Sequence, residues 1–132
     1  MKSPFQPGDQ KTFTHNVSAN DFAVFASGQV HDVYATFSVA RDAEWSGRLF
    51  VLEMKDEDEE GIGTGITVEH HSPAVLHDAV VFIATFVSLI GNEITTEYEA
   101  KVGTRLIAKG IQQQKIVKKE KLKKLFEHLK KG

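Results

Sequence analysis

From Gly61 onward the chain alternates apolar and polar residues in run after run, and this period of two constrains the fold more than any other feature. "GIGTGITVEHH" (61–71) places Ile62, Ile66, Val68 and His70 on one face, and Pro73 ends the run. "DAVVFIATFVSLIG" (78–91) is rich in β-branched and aromatic residues and stops at the turn pair Gly91-Asn92. "EITTEYEAKV" (93–102) alternates again, and Gly103-Thr104 turns the chain. "RLIAKGIQQQKIVKKE" (105–120) then reads as a last strand, with Gly110 as its bulge. Links this short join antiparallel neighbours, so the second half of the chain reads as an antiparallel meander.

The first half reads differently. "GDQKTFTHNVS" (8–18) alternates Phe13, His15 and Val17 with polar residues, as an edge strand would. Ser18 or Asn20 is placed to cap a short helix that turns Phe22, Val24 or Phe25 inward and ends at Gly28. "DVYATFSVARDAEWSGRLFVLEMK" (32–55) carries Val39, Ala40, Ala43, Leu49, Phe50, Leu52 and Met54. That density predicts a long buried helix, with Asp32 or Thr36 as N-cap. Gly47 is its weak point, costing about 1 kcal/mol relative to alanine. A long apolar helix followed by a meander predicts an α+β fold in which an antiparallel sheet curls around the helix. At 132 residues, a single domain spanning 1–132 is expected.

The chain has no cysteine. Disulfides, thiolate metal sites and cysteine nucleophiles are thereby excluded, and any chemistry rests on Ser, Thr, His, Asp, Glu, Lys or Tyr. The longest apolar stretch, "AVVFIATFVSLI" (79–90), is too short to span a bilayer as a helix. The start, "MKSPFQPGDQ", lacks the apolar core of a signal peptide. A soluble cytoplasmic protein without membrane contact is expected.

The net charge of -2 conceals a segregation. From Lys115 onward eight lysines stand against only Glu120 and Glu127, whereas "DEDEE" (56–60) reads as a solvated acidic loop. "KEKLKKLFEHLKK" (119–131) sets Leu122, Leu125, Phe126 and Leu129 at helical spacing, which predicts an amphipathic helix docked by that face. Among the lysines the only aromatic residue is Phe126, on the apolar face, so nucleic acid is not an expected partner.

"VYATFSVARDAEW" (33–45) and "GTGITVEHHSPA" (63–74) together resemble the hot-dog thioesterases, most closely the fluoroacetyl-CoA thioesterase branch. The resemblance rests on Ala35-Thr36, then Ala43-Glu44-Trp45, then Gly63-Thr64, then His70-His71-Ser72-Pro73, with no gap needed between Thr36 and His70. It extends from about residue 8 to about 120, and "IAKGIQQQKIVKKEKL" (107–122) is similar to the family's last strand. In that strand the family's His-Glu-Arg pattern is replaced by Gln112, Gln113 and Gln114. The resemblance implies a hot-dog fold, a homodimer, and an active site at the subunit interface; whether dimers pair further into a tetramer stays open. It also implies Thr36, Glu44 and His70 as catalytic residues. Gly63 and Thr64 would line the substrate, with Phe25 or Val30 in the place of the family's phenylalanine-bearing lid. The implied substrate is a short or medium acyl-CoA, with coenzyme A part of the substrate and no separate cofactor or metal.

Chemistry supports such a set. A thioester is hydrolysed when an oxygen nucleophile attacks its carbonyl carbon, a proton carrier serves the leaving thiolate, and donors hold the oxyanion. Glu44 suits direct attack or the activation of water, and the two remain open. His70 titrates near neutrality and suits proton transfer, and a nearby carboxylate would favour its charged form. Eight helical residues rise about 12 Å, so Thr36 and Glu44 cannot touch within one straight helix. His71 points to the opposite face of a regular strand and reads as a surface residue. A zinc site built from His70, His71 and His77 is a weaker alternative, because adjacent strand histidines diverge. Two other functions share the fold: a non-catalytic acyl-CoA-binding protein, and a hydratase or dehydratase.

Overall fold

The computed structural model describes residues 1–132. The period-two segments form one antiparallel sheet. Its long strands are β6 (Ala79–Ile90), β7 (Glu93–Val102) and β8 (Arg105–Lys118), joined by tight turns with Gly91 and Gly103 at positive φ. β1 (Gln10–Asn16) flanks β6, and β4 (Glu59–Ile66) flanks β8, giving the order β1-β6-β7-β8-β4. β5 (Glu69–His70) also pairs with β8. A separate hairpin is made of β2 (Phe22–Phe25) and β3 (Gly28–Tyr34).

The inner face of the sheet carries Val80, Phe82, Ala84 and Phe86 from β6 and Ile94, Tyr98 and Ala100 from β7. Against it lies α1 (Thr36–Met54), burying Val39, Ala43, Phe50, Val51 and Met54. Burial of apolar surface on this face, roughly 25 cal/mol per Å², is the main force holding helix to sheet. The long helix, curled sheet and C-terminal helix α2 (Lys119–Lys131) are the α+β arrangement anticipated from the pattern.

Several expectations are corrected. The helix begins at Thr36 rather than near Asp32, because residues 32–34 complete β3. Tyr34 is fully buried, its N–H donates to the Ala74 carbonyl at 2.9 Å, and Val33 bridges Val75. These tertiary pairings outweigh the helical spacing. Neither Asp32 nor Thr36 caps the helix; the N-cap is Ala35, which has no capping side chain. The short helix expected after Ser18 is only a 3-10 turn (Ala19–Asp21), and Val24 and Phe25 lie exposed on β2. Leu52 is exposed.

The run 61–71 is two strands, broken at Thr67-Val68. The β8 bulge is at Ile107, since Ala100 pairs with Ala108 and Lys101 with Leu106. The extra residue lets Ile107 and Ala108 both be buried. Gly110 stays in register with Tyr98, and its lack of a side chain is needed because the Thr67 carbonyl occupies the space of a Cβ. Helix α2 buries none of its residues, and Leu125, Phe126 and Leu129 are exposed rather than docked.

Candidate active site

Thr36 and His70 are brought together by strand pairing. The pairing of His70 with Ala108, and the His71 N–H donating to the Ile107 carbonyl at 2.7 Å, fix the histidine at the sheet's rim. The Tyr34–Ala74 bond joins the end of β3 to the segment that follows His70. Thr36 opens α1 two residues after Tyr34, and its Oγ1 lies 2.9 Å from His70 Nδ1. Because Thr36 is not spent as a cap, its hydroxyl is available for this contact.

The other ring nitrogen, His70 Nε2, is enclosed and has no hydrogen-bond partner. Burial, and to a lesser degree the adjacent His71, push the His70 imidazole below its ordinary pKa, against an opposing contribution from the Ser72 backbone. No carboxylate bonds to it, so the charged form anticipated from a neighbouring acid is not favoured within one protomer. In the neutral tautomer that donates Nδ1–H to Thr36 Oγ1, the Nε2 lone pair is free to accept a proton and then return it.

Glu44 is on the same helix as Thr36, eight residues on, and the two side chains do not meet. Glu44 instead faces β4. Its carboxylate occupies the space that a side chain on Gly63 would fill. Arg41, Glu44, Trp45 and Arg48 of α1 line a cleft of about 330 Å³ with Gly61, Gly63 and Gln114. The Gln114 side chain donates to the Glu44 carbonyl oxygen at 3.1 Å and to Gln112 Oε1 at 3.0 Å. Gln112 and Gln114, noted in sequence only as a departure from a family pattern, are thus buried supports beneath the helix. Gly47 rests on Gln112 Oε1, so it is a packing requirement more than a weak point.

The remaining candidates are dispersed. Thr64 is the unpaired residue in the β4–β8 register, and its hydroxyl donates to Glu93 at 3.2 Å. Phe25 packs edge-to-face on Phe37, with ring centroids 5.7 Å apart, next to Thr36. Val30 is exposed on β3. Phe37 was not singled out from sequence; its place directly after Thr36 was the available signal. A larger cleft of about 540 Å³ lies on the outer face of the sheet, among Gln10, Thr85, Glu97, Glu99 and Lys109. It contains none of Thr36, Glu44 or His70.

His71 is exposed, as expected for the residue facing away. The tightest group of potential metal-ligating atoms is not the histidine trio but His15, Asp21 and Asp42, within 4.8 Å of one another. Arg41 Nη2 already sits 2.7 Å from Asp21 and 2.8 Å from Asp42, so a cation is supplied by the chain itself.

Fold and site geometry define the class: a hot-dog protein whose helix start meets a histidine at the sheet's rim. A Thermus thermophilus protein described as a thioesterase superfamily member is 32% identical, with 97% of this chain and 95% of that chain covered and a TM-score of 0.92. The fluoroacetyl-CoA thioesterase FlK superposes with a TM-score of 0.89 at 18% identity, covering 96% and 98% of the two chains. A hot-dog-like protein from Thermanaerovibrio acidaminovorans gives 0.85 at 21% identity, covering 94% and 92%. No curated protein sequence matches significantly. The family model of the fluoroacetyl-CoA-specific thioesterases, FlK, matches residues 17–120, and the chain belongs to that thioesterase family.

Proposed function

We propose that this chain hydrolyses a short or medium acyl-CoA to the free acid and coenzyme A, acting as a homodimer with composite sites. The observation that carries the reading is the Thr36–His70 hydrogen bond, which leaves His70 Nε2 enclosed and unbonded. Family membership supports thioester hydrolysis in general. Variants of the FlK enzyme are described in complex with fluoroacetate and CoA and with acetyl-CoA, so that enzyme binds ligands of the proposed kind.

In this account Glu44 supplies the attack on the thioester carbonyl, directly or by deprotonating water. Water either attacks the carbonyl itself or cleaves the anhydride left by direct attack of Glu44. In both routes a proton from that water reaches neutral His70 Nε2, which passes it to the thiolate released when the C–S bond breaks. Thr36 orients the His70 ring through Nδ1 and places its hydroxyl beside the reacting carbonyl. N–H groups at the start of α1 suit the developing oxyanion. Phe25 and Phe37 form an apolar wall for the acyl group, and Gly63, Thr64 and Val30 lie along the substrate's approach.

Glu44 and His70 do not meet within one protomer, and that separation supports a composite site. β4 is an unpaired edge with Ile62 and Ile66 38% and 41% exposed, and it carries no proline or lysine to protect it. Edges of this kind invite another strand. On this reading a second copy pairs along β4, and Glu44 of the partner subunit completes the Thr36–His70 pair. The test is a release assay for free coenzyme A over a panel of acyl lengths, run on wild type and Glu44→Ala together. The reading requires turnover of at least one acyl-CoA, lost in Glu44→Ala with the fold intact. Binding without turnover would favour an acyl-CoA-binding protein instead.

A further inference from the structure

The charged knot beneath the start of α1 has no role in the chemistry above. Asp21 and Asp42 are both buried carboxylates. Arg41 spans them, donating through Nη2 to Asp21 Oδ1 at 2.7 Å and through Nε to Asp42 Oδ1 at 2.9 Å. His15 Nε2 lies 2.7 Å from Asp21 Oδ2, which also accepts the Ser18 N–H at 2.8 Å. Burial works to raise the Asp21 carboxyl, but Ser18, Arg41 and His15 more than offset it and hold it at about 2. Arg41 itself is half exposed, and an ion pair whose cation is open to solvent contributes little net stability. Stability is therefore a weak explanation for placing five polar groups here.

Position is a better one. The Tyr34 hydroxyl donates to Asp42 Oδ2 at 2.5 Å. The main-chain oxygen of Asp21 accepts the Ala35 N–H at 2.9 Å and the Ser38 hydroxyl at 3.1 Å. Residues 34, 35 and 38 are each tied to the knot, and Thr36 lies among them with its side chain left for His70. Ala35, an N-cap without a capping side chain, has its N–H held by this carbonyl instead.

We infer that Asp21, clamped by Arg41, is a positioning residue that fixes the Tyr34–Thr36 corner so that the Thr36 hydroxyl meets His70. The inference rests on the proposed role of Thr36. It extends the catalytic machinery to an ion pair that the hydrolytic chemistry itself does not require.

The experiment is a double-mutant cycle. Asp21→Asn, Tyr34→Phe and Thr36→Ala are made singly, and each of the first two is combined with Thr36→Ala. kcat and KM are measured on whichever acyl-CoA the wild type hydrolyses, with thermal unfolding to establish folding. Asp21→Asn is expected to lower kcat about tenfold with KM little changed, a cost of misplacing one reacting group. In the Thr36→Ala background the same change is expected to cost less than about twofold, because the two act through one contact. The ring 15N resonances of His70 should move in Asp21→Asn as they do in Thr36→Ala. If Asp21→Asn does not fold, Tyr34→Phe, which deletes a single hydroxyl, carries the test with the same expectation. Full multiplication of the losses, or an unchanged kcat in a folded variant, overturns the inference while leaving Thr36 catalytic. An unchanged kcat in Thr36→Ala alone overturns the role of Thr36 and the inference together.

Discussion

Thr36 Oγ1 and His70 Nδ1 lie 2.9 Å apart, although 34 residues separate them in the chain. One opens a helix and the other closes a two-residue strand. Removing either side of this contact should be felt in chemistry before it is felt in folding. His70→Asn is expected to lower kcat by roughly a hundredfold or more, the scale of a lost proton carrier. Thr36 is exposed and caps nothing, so Thr36→Ala should leave thermal stability close to wild type. Steady-state kinetics and thermal unfolding on the two variants check this.

The pH dependence follows from the depressed imidazole. Burial pushes the His70 pKa below 6.5, so the ring is neutral over a wider range than a free histidine. Proton acceptance at Nε2 needs that neutral form. Activity should therefore fall as pH drops through a value under 6.5 and be level above it. A kcat/KM profile from pH 4.5 to 8 reads this acid limb directly, and His70→Asn should remove it.

Gly63 sits where the Glu44 carboxylate rests. In an ordinary exposed strand Gly→Ala is neutral or helpful. Here the added methyl must displace Glu44, so Gly63→Ala should lower kcat by at least about tenfold with little loss of stability. The comparison of kcat with the unfolding midpoint checks the separation.

Gly47 makes the opposite prediction. A methyl there meets Gln112 Oε1 in a buried layer, with Thr96 Oγ1 3.0 Å away. Although alanine is the better helix former, Gly47→Ala should destabilise by about 1–3 kcal/mol, the usual cost of overpacking. Chemical denaturation of the variant measures it.

Much of this molecule was legible from sequence, for reasons that differ by element. The strands β6, β7 and β8 follow from alternation and from glycine turns, because one face must be buried. The helix was legible from Val39 to Met54, where apolar spacing is dense. Its start was not: residues 32–34 have helical neighbours in sequence but strand neighbours in space, and only the Tyr34–Ala74 and Val33–Val75 pairings decide it. At the site, the likeness of Ala35-Thr36 and His70-x-x-Pro73 to a known family singled out Thr36 and His70 separately; the pair it led one to expect was Glu44 with His70, and the Thr36–His70 contact is visible only in the fold. Glu44 came from the same likeness, yet it lies elsewhere on the protomer, since eight helical residues separate it from Thr36. The knot of His15, Asp21, Arg41, Asp42 and Tyr34 was illegible because its members come from four elements. A charged Asp42 between the buried Val39 and Ala43 was its one sequence trace.

The central claim, a site shared between two copies, is tested most directly by subunit complementation. Glu44→Gln and His70→Asn variants are prepared separately, then dissociated, mixed and reassembled. If Glu44 of one subunit serves the Thr36–His70 pair of the other, each mixed dimer regains one intact site. Random mixing then restores about a quarter of wild-type activity from two inactive parents. Activity that stays at the level of the parents, with mixed dimers demonstrably formed, would contradict the account.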